Sequence, residues 1–586
     1  MSIKRKYSYE LFFIPFVVFF IISLLVGLVI LQNIHYWGQM DWDQFTFWNA
    51  TPRESILKYH QFPLWNNYSN GGNISLAHPH SLFLSPFYIL VFIFGPVIGL
   101  KLEFILHLFI GMFGIFLLFR HILPCRYSAY LPPLVYMLSS VFTLHFAEGH
   151  GEWLAMAFIP WLFLFYFLSF KRFKYVIGCI FSLSLMLFGS GVHIFSIAII
   201  LFLSYCFLLS LRQRSLAPLK TMAVIFVGTF LLCSIKLIPA LEFIKDNPRK
   251  AFASGEFIPI SFLPDIFLSR GQAQLYQKTK LAYPERSVII ADKEFPVGWH
   301  EYGAYIGIVP LILGIAGLIF YFKQYWPLWL MGILSLWISL GKSAYYNLWG
   351  LLTKLPLYDS FHAPSRFILG FVFCAAIFSG LGLSKLEDIC EKKKLRYLII
   401  ILIGALFYDF FLVNYPLWKQ TFTIRPPEIK RNLEFKQRYR DFNLFPGESR
   451  SSMYAAFLNN SGVINSYEVV GIKKGKVRIY NDQDYKGEAY LLNNNGQVAM
   501  SRFSPNSIEI NVNILMPDRV VINQNFYKGW KIKGVKSEVQ PYDGLISAEL
   551  PAGRYRIVFY YLPSAFIIGS LLSAASVFIL IVYLFV

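Results

Sequence analysis

Two aspartates flank a tryptophan in QMDWDQFTFWN, residues 39–49, a few positions after the first long apolar segment of the chain. A carboxylate just outside hydrocarbon sits in a lowered dielectric, which suits it to accept a proton as a general base. In Asp-Trp-Asp spacing the two acids can divide labour, one taking a proton while the other orients an acceptor hydroxyl or a divalent cation. The same spacing also suits a helix cap or a solvated loop. Asp43 is the first candidate for the base and Asp41 the second, because spacing alone does not say which side chain turns inward.

The elements that must position these acids are membrane spans. Of 586 residues, 56% are hydrophobic and 18% aromatic, and the mean hydropathy is +0.51. A water-soluble fold of this size could not cover so much apolar surface. The +20 net charge does not point to nucleic acid, since many Lys and Arg fall in short patches beside apolar runs, as in cytoplasmic loops. Residues 11–31 are about twice as long as a signal-peptide core and lack a small-residue cleavage site, so a retained anchor is expected. The six cysteines lie in or beside apolar runs and none lies within 416–562, which supports neither a disulfide framework nor a cysteine metal site.

About twelve apolar stretches are long enough to cross roughly 30 Å of hydrocarbon. Residues 82–99, interrupted by Pro86, Gly95 and Pro96, are a further candidate. If this segment does not cross, the loops with Arg120 and Arg126, KRFK, LRQR and EKKKLR all share the side of the basic N-terminus. If it does cross, they all leave that side, so a re-entrant or interface-lying helix is predicted. Both termini then lie in the cytoplasm, and loops 32–82 and 242–302 lie outside. Segment 416–562 lies outside as well, and its alternating SIEINVNI, RVVINQN and RYRIVFYYL, separated by KGW, YDG and PAG, read as a β-sandwich. The expected fold is a mainly α polytopic membrane module (1–415), an outer β-rich domain (416–562) and a final span (563–586).

Several segments resemble the bacterial YfhO-like membrane proteins, within the GT-C glycosyltransferases. They are FPLWNNYSNGG with FLSPFYIL, EGHGEWLAMAFIPWLFL, IKLIPALEF, EYGAYIGIVPLILGIAGL, LPLYDSFHAPSRFILGF, and NQNFYKGWKIKG running on to LPAGRYRIVFYYLP. Their order matches as well as their wording. One departure stands at 189–193, GSGVH, where relatives show a Gly-His-Pro-Gln-like element, which leaves any role there in doubt. The resemblance implies an inverting transfer of a sugar from a polyprenyl phosphate to an envelope glycopolymer or glycolipid, in a bacterial inner membrane. Phosphate is already a good leaving group, so such an enzyme needs one base and cationic groups around the phosphate.

For the phosphate, Arg366 in FHAPSRF is the first choice, because a guanidinium binds two oxygens and stays charged near lipid. Lys236, within an apolar run near its outer end, is the second. Interface anchoring and snorkelling are the competing roles. His78 and His80 of AHPHS, with His145, Glu148, His150 and Glu152 of HFAEGHGEW, could contact the acceptor or hold a divalent cation, although their spacing matches no zinc signature. Trp42, Trp48 and Trp65 share the acidic loop and could stack on sugar rings or anchor at the interface. Glu103 and His107 are expected to pair along a helix face, and Asp409 to pair with a neighbour. A lipid-linked glycan transporter or a non-catalytic assembly partner is the competing function, and the lack of an internal repeat counts against the transporter.

Overall fold

The computed structural model describes residues 2–248, 257–281, 288–290, 293–295, 298–356, 358–392, 394–442, 452–467 and 471–585. Parts of the expected outer segments 242–302 and 416–562 therefore lie outside the described residues.

Among the described residues, ten helical stretches are long and apolar enough to cross a bilayer, and a shorter apolar helix spans Phe173–Phe188. One of the ten, Ile308–Ser343, is two spans. Its backbone breaks at Tyr325 (φ −126°, ψ 22°), two residues before Pro327, where the ring removes an N–H and clashes with the preceding turn. Gly314 and Leu318 from the first half share a small cavity with Trp329 and Gly332 from the second. The halves therefore double back as a hairpin. With this stretch counted twice and the shorter helix added, the described residues hold twelve apolar helical segments, in line with the roughly twelve apolar stretches of the sequence.

A second break falls at Gly95 (φ 78°, ψ 169°), inside the stretch Pro86–Ile122. The part before it is only nine residues, roughly 13 Å at 1.5 Å per residue, so it is too short to cross. Gly95 adopts a φ that costs other residues energy, and the true span begins at Pro96.

The C-terminal region forms two four-stranded antiparallel sheets. In the first, Ser507–Ile514 lies between Gly496–Ser504 and Gly553–Tyr561, with Ile508 opposite Phe559 and Ile510 opposite Ile557. Alternate residues Ile508, Ile510, Val512 and Ile514 are buried, so the SIEINVNI pattern turns one face inward as period-2 geometry requires. In the second sheet, Asp518–Asn525 pairs with Leu545–Leu550. Val520 and Ile522 join the same core as Ile510 and Phe559, which makes the two sheets a sandwich.

This sandwich grips the loop that carries the acids. Asn506 Oδ1 accepts the N–H groups of Leu64 and Trp65, and Trp65 packs on Trp530 and Tyr561. Asn525 donates to the carbonyls of Asn70 and Gly72. Glycine suits position 72, whose φ of 107° other residues rarely adopt. At the helix ends, Lys528 bridges Glu242 and Asp246 at 2.9 and 2.7 Å. The final helix Ser564–Phe585 then packs on Ala217–Asp246, with Gly569 allowing close approach to the Ser234 carbonyl and Ser573 Oγ accepting from Ile235 N–H. Small residues serve this purpose between membrane helices.

Candidate functional site

The acidic loop is fixed by contacts on both sides. Before it, Trp37–Gly38 pairs with Phe422–Ile424, where the helix Tyr397–Thr421 has just ended. Beneath it, the Lys101 ammonium donates to the carbonyls of Asn33, Ile34 and Tyr36. After it, Asp41 N–H donates to the Glu148 carbonyl at 2.9 Å, and Trp42 Nε1–H to the Phe146 carbonyl at 2.7 Å. The helix Ser140–Glu148 ends on Gly149 in the left-handed region (φ 97°), a common terminating geometry. A Cβ on Gly149 would lie 2.2 Å from Trp42 N, and one on Gly151 would lie 2.0 Å from the Phe45 ring. The EGHGEW motif is therefore a backbone surface against which residues 41–45 lie, with His150 held between two glycines.

The paired aspartates separate at this point. Asp43 is buried, and its Oδ2 accepts the N–H of Met453 at 2.8 Å and of Tyr454 at 3.5 Å. It closes the start of the helix Met453–Leu458 and lines no part of the polar pocket described below. The first candidate for the base thus lies apart from this pocket: residues two positions apart on a helix point about 200° from each other, and Asp43 turns toward the C-terminal region. Asp41, which directly precedes the helix Trp42–Leu57, faces the pocket, with Oδ2 3.4 Å from His150 Nε2.

The pocket, about 120 Å³, is lined by Asp41, Trp48, His80, His150, Glu152 and Arg366, together with Gln44, His193, His362 and Tyr467. Trp48 stacks on His80 with centroids 4.7 Å apart and meets His78 at 4.6 Å. His78 lies behind this layer, its Nδ1 accepting the His80 N–H. Gln44 donates to the Tyr467 carbonyl, which brings the far end of the chain to the rim.

A row of buried groups continues away from the pocket. His145 and His150 face each other through Nδ1 atoms 2.9 Å apart, and His145 lies flat on Trp153 at 3.5 Å. His300 lies between Glu148 and Glu301, at 3.4 and 3.6 Å, and Glu148 also accepts the Tyr276 hydroxyl. Arg366 grips Glu301 with two prongs, Nε to Oε2 at 2.9 Å and Nη2 to Oε1 at 2.5 Å. Burial opposes a charge on Glu301, but Arg366 outweighs it and holds the carboxyl well below its usual range. Burial alone would also lower His150, yet Glu152 and Asp41 lift it to about 9, so the imidazole is a cation at neutral pH. For His300 burial prevails over Glu148 and Glu301, and its pKa falls.

Ligand atoms of His145, His150 and Glu301 lie within 4.8 Å of one another. The donor set suits a divalent cation, but an ion there would have to displace the His145–His150 hydrogen bond and compete with Arg366 for Glu301.

Several sequence expectations meet a different placement. Lys236 does not line the pocket. Its ammonium donates to the carbonyls of Pro79, Ser81 and Leu187, at 3.3, 2.5 and 2.9 Å, and so clamps the turn that carries His80. Trp42 is packed among Phe45, Phe146 and Phe422, and Trp65 lies against the sandwich, so neither ring faces the pocket. Glu148 sits one layer behind it. His107 bonds the main-chain carbonyl of Glu103 rather than its carboxylate. Asp409 is paired, with Tyr305 at 2.6 Å and Arg270 at 3.0 Å.

Sequence reading missed Glu301, His300, His362, Gln44 and Tyr467 as site residues, and left His193 without a role. Two of them had a signal: His362 stands four residues before Arg366 in FHAPSR, and Glu301 opens EYGAYIG. His193 lines the pocket from the start of its helix, and the turn before it packs closely because a Cβ on Gly191 would lie 2.2 Å from the Ala155 Cβ.

Neither a family model nor a curated protein matches the chain, so the YfhO-like resemblance rests on the sequence segments alone. Among solved structures, the chain is similar to the arabinofuranosyltransferase AftD from Mycobacteria (TM-score 0.44, 13% identity), covering 70% of this chain but only 27% of AftD. It is similar to the oligosaccharyltransferase AglB from Archaeoglobus fulgidus in complex with an inhibitory peptide and a dolichol-phosphate (TM-score 0.44, 10% identity, 81% of this chain and 66% of AglB). A third is ArnT from Cupriavidus metallidurans bound to undecaprenyl phosphate (TM-score 0.39, 12% identity, 76% of this chain and 85% of ArnT).

Proposed function

We propose that the protein is a membrane glycosyltransferase that moves a sugar from a polyprenyl-phosphate carrier to an envelope glycopolymer or glycolipid. The observation that carries this reading is the convergence of two carboxylates, Asp41 and Glu152, and two basic groups, His150 and Arg366, in a single polar pocket among helix ends. A prenyl tail must lie in hydrocarbon while its phosphate and sugar sit at the interface, which is where helix ends lie. At about 120 Å³ the pocket matches the volume of roughly four waters, enough for the reacting phosphate end rather than a whole glycan.

In the proposed reaction the acceptor oxygen attacks the anomeric carbon from the face opposite the phosphate, and its proton passes to Asp41. The bond between that carbon and the phosphate oxygen breaks, the electron pair leaves with the phosphate, and the sugar configuration inverts. His150 and Arg366 face the charge that grows on the departing phosphate. Glu152 keeps His150 protonated, and Glu301 fixes the plane of the Arg366 guanidinium. Trp48, on its layer of His80, offers a face to a sugar ring. The distribution of basic loops supports cytoplasmic termini and a pocket on the outer side of a bacterial inner membrane. A divalent cation is not needed for this sequence of steps, although the His145–His150–Glu301 group could take one.

Membranes supplied with a labelled polyprenyl-phosphate sugar test the reading. Asp41→Asn should lower transfer by about 10²–10⁴-fold, the usual contribution of a positioned base. Full transfer by Asp41→Asn would sink it.

A further inference from the structure

The bundle holds a second cavity of very different character. It measures about 670 Å³ and is walled by apolar side chains from three helices, among them Ile14 and Phe19, Leu134, and Ile403 and Phe407, with Arg120 and Arg126 at one end. Ile14 and Ile400 on its walls are about half exposed, so the cavity is a groove that opens toward the surrounding membrane.

The groove lies at the opposite end of the bundle from the polar pocket. The span Ser128–Glu148 starts beside the groove, which Tyr127, Tyr130 and Leu134 line, and delivers Gly149 and His150 to the pocket. It consists of the helices Leu131–Leu138 and Ser140–Glu148, joined at Ser139 where the backbone is extended (ψ 147°); the unbroken measure is Tyr397–Thr421, whose 25 residues correspond to roughly 37 Å of helix, enough to cross the hydrocarbon core. Helix Tyr397–Thr421 repeats the relation, with Ile400–Phe407 on the groove and its far end beside Trp42.

Among the described residues neither arginine at the groove has a carboxylate partner. Arg126 lies over the Tyr127 ring at 5.1 Å, and Arg120 stands 6.0 Å from the Phe116 ring. The acid next to them, Glu387, uses its carboxylate on three main-chain N–H groups, those of Arg126, Tyr127 and Ser128, at 3.3, 2.9 and 2.8 Å. Two guanidinium groups at the mouth of an apolar channel match a phosphate head above hydrocarbon tails.

We propose that this groove binds an anionic diacyl phospholipid, its phosphate on Arg120 and Arg126 and an acyl chain along the channel. The lipid is distinct from any carrier that serves the polar pocket, since a phosphate at Arg120 stands a membrane thickness away from Asp41.

The full chain in phosphatidylcholine nanodiscs, doped with spin-labelled phosphatidylglycerol or spin-labelled phosphatidylcholine, tests the site through the immobilised spectral component. Two basic groups at a lipid surface should favour the anionic label by roughly thirtyfold, and raised salt should lower that preference. Arg120→Gln with Arg126→Gln should bring it to the phosphatidylcholine level, Arg120→Lys with Arg126→Lys should keep most of it, and Asp41→Asn should leave it unchanged. Gly404 lines the groove and has open space where a Cβ would stand, so Gly404→Phe should fill the channel and release the label from a folded protein. Equal immobilisation of both labels, full retention by the Gln pair or by Gly404→Phe, or stoichiometric displacement by undecaprenyl phosphate would each overturn the proposal.

Discussion

Gly149→Ala isolates the contact that sets the acid against the histidine. The residue sits at φ 97°, and a Cβ would stand 2.2 Å from Trp42 N and 2.6 Å from the Asp41 carbonyl carbon. Holding a non-glycine residue in this region costs about 1–3 kcal/mol. Ordinary contact begins near 3.4 Å, so the two segments must also separate by about 1 Å, which weakens the 2.9 Å bond from Asp41 N–H to the Glu148 carbonyl. Misplacing a reacting group by about 1 Å can lower a rate by about 10²-fold. The expected result is a transfer rate reduced by about that factor, with a folded protein whose stability falls by about 2–3 kcal/mol. The checks are a labelled-donor assay in membranes and thermal unfolding of purified protein. Wild-type transfer by Gly149→Ala would show that the pocket does not depend on this contact, and the positional reasoning would fail.

Asp43→Asn keeps one carbonyl oxygen for the Met453 and Tyr454 N–H groups, so it should cost about 1 kcal/mol in unfolding experiments, as capping losses do, and leave transfer within a few-fold of wild type. His150, lifted to about 9 from an ordinary 6.5, binds its proton more tightly folded than unfolded. Its stabilisation should be complete below about pH 6.5 and disappear as pH rises through about 9; in His150→Gln that alkaline loss in a pH-resolved melting series should vanish. Arg366→Ala leaves the buried Glu301 unpaired and should destabilise by about 3–5 kcal/mol, with much of the loss recovered when Glu301→Gln is added, as denaturation of the single and double variants would reveal. Lys236→Met strands three main-chain carbonyls, at about 1–3 kcal/mol for each buried group left unmet, so it should cut the yield of folded protein while surviving protein keeps its donor KM.

The apolar architecture was legible in the chain because both of its signals are local. A run of about twenty apolar residues has nowhere to go but hydrocarbon, and alternation in SIEINVNI can bury only one face of a strand. Even the interruption at 82–99 was visible, since Gly95 and Pro96 mark a break whatever surrounds them.

The site was legible only in part. Asp41, His80, His150, Glu152 and Arg366 were singled out by residue type and by their position in loops or at the ends of the spans. The order of the two aspartates was not readable, because the partner that claims Asp43 is the backbone of Met453, 410 positions away. Lys236 looked like a phosphate ligand because a cation inside an apolar run demands a partner, but its partners are carbonyls of two other segments. Glu301 and His362 gave weaker signals, being ordinary polar residues in loops until folding sets them beside Arg366 and the pocket.

From the sequence alone came the membrane-spanning helices, the C-terminal sheets and the acidic loop. Tertiary structure alone decided which acid faces the pocket, which cation stays charged beside it and which groups are used up in holding the loops. The division has a physical cause: burial in lipid and strand alternation depend on each residue and its near neighbours, whereas a side chain's role depends on which distant backbone or charge reaches it first.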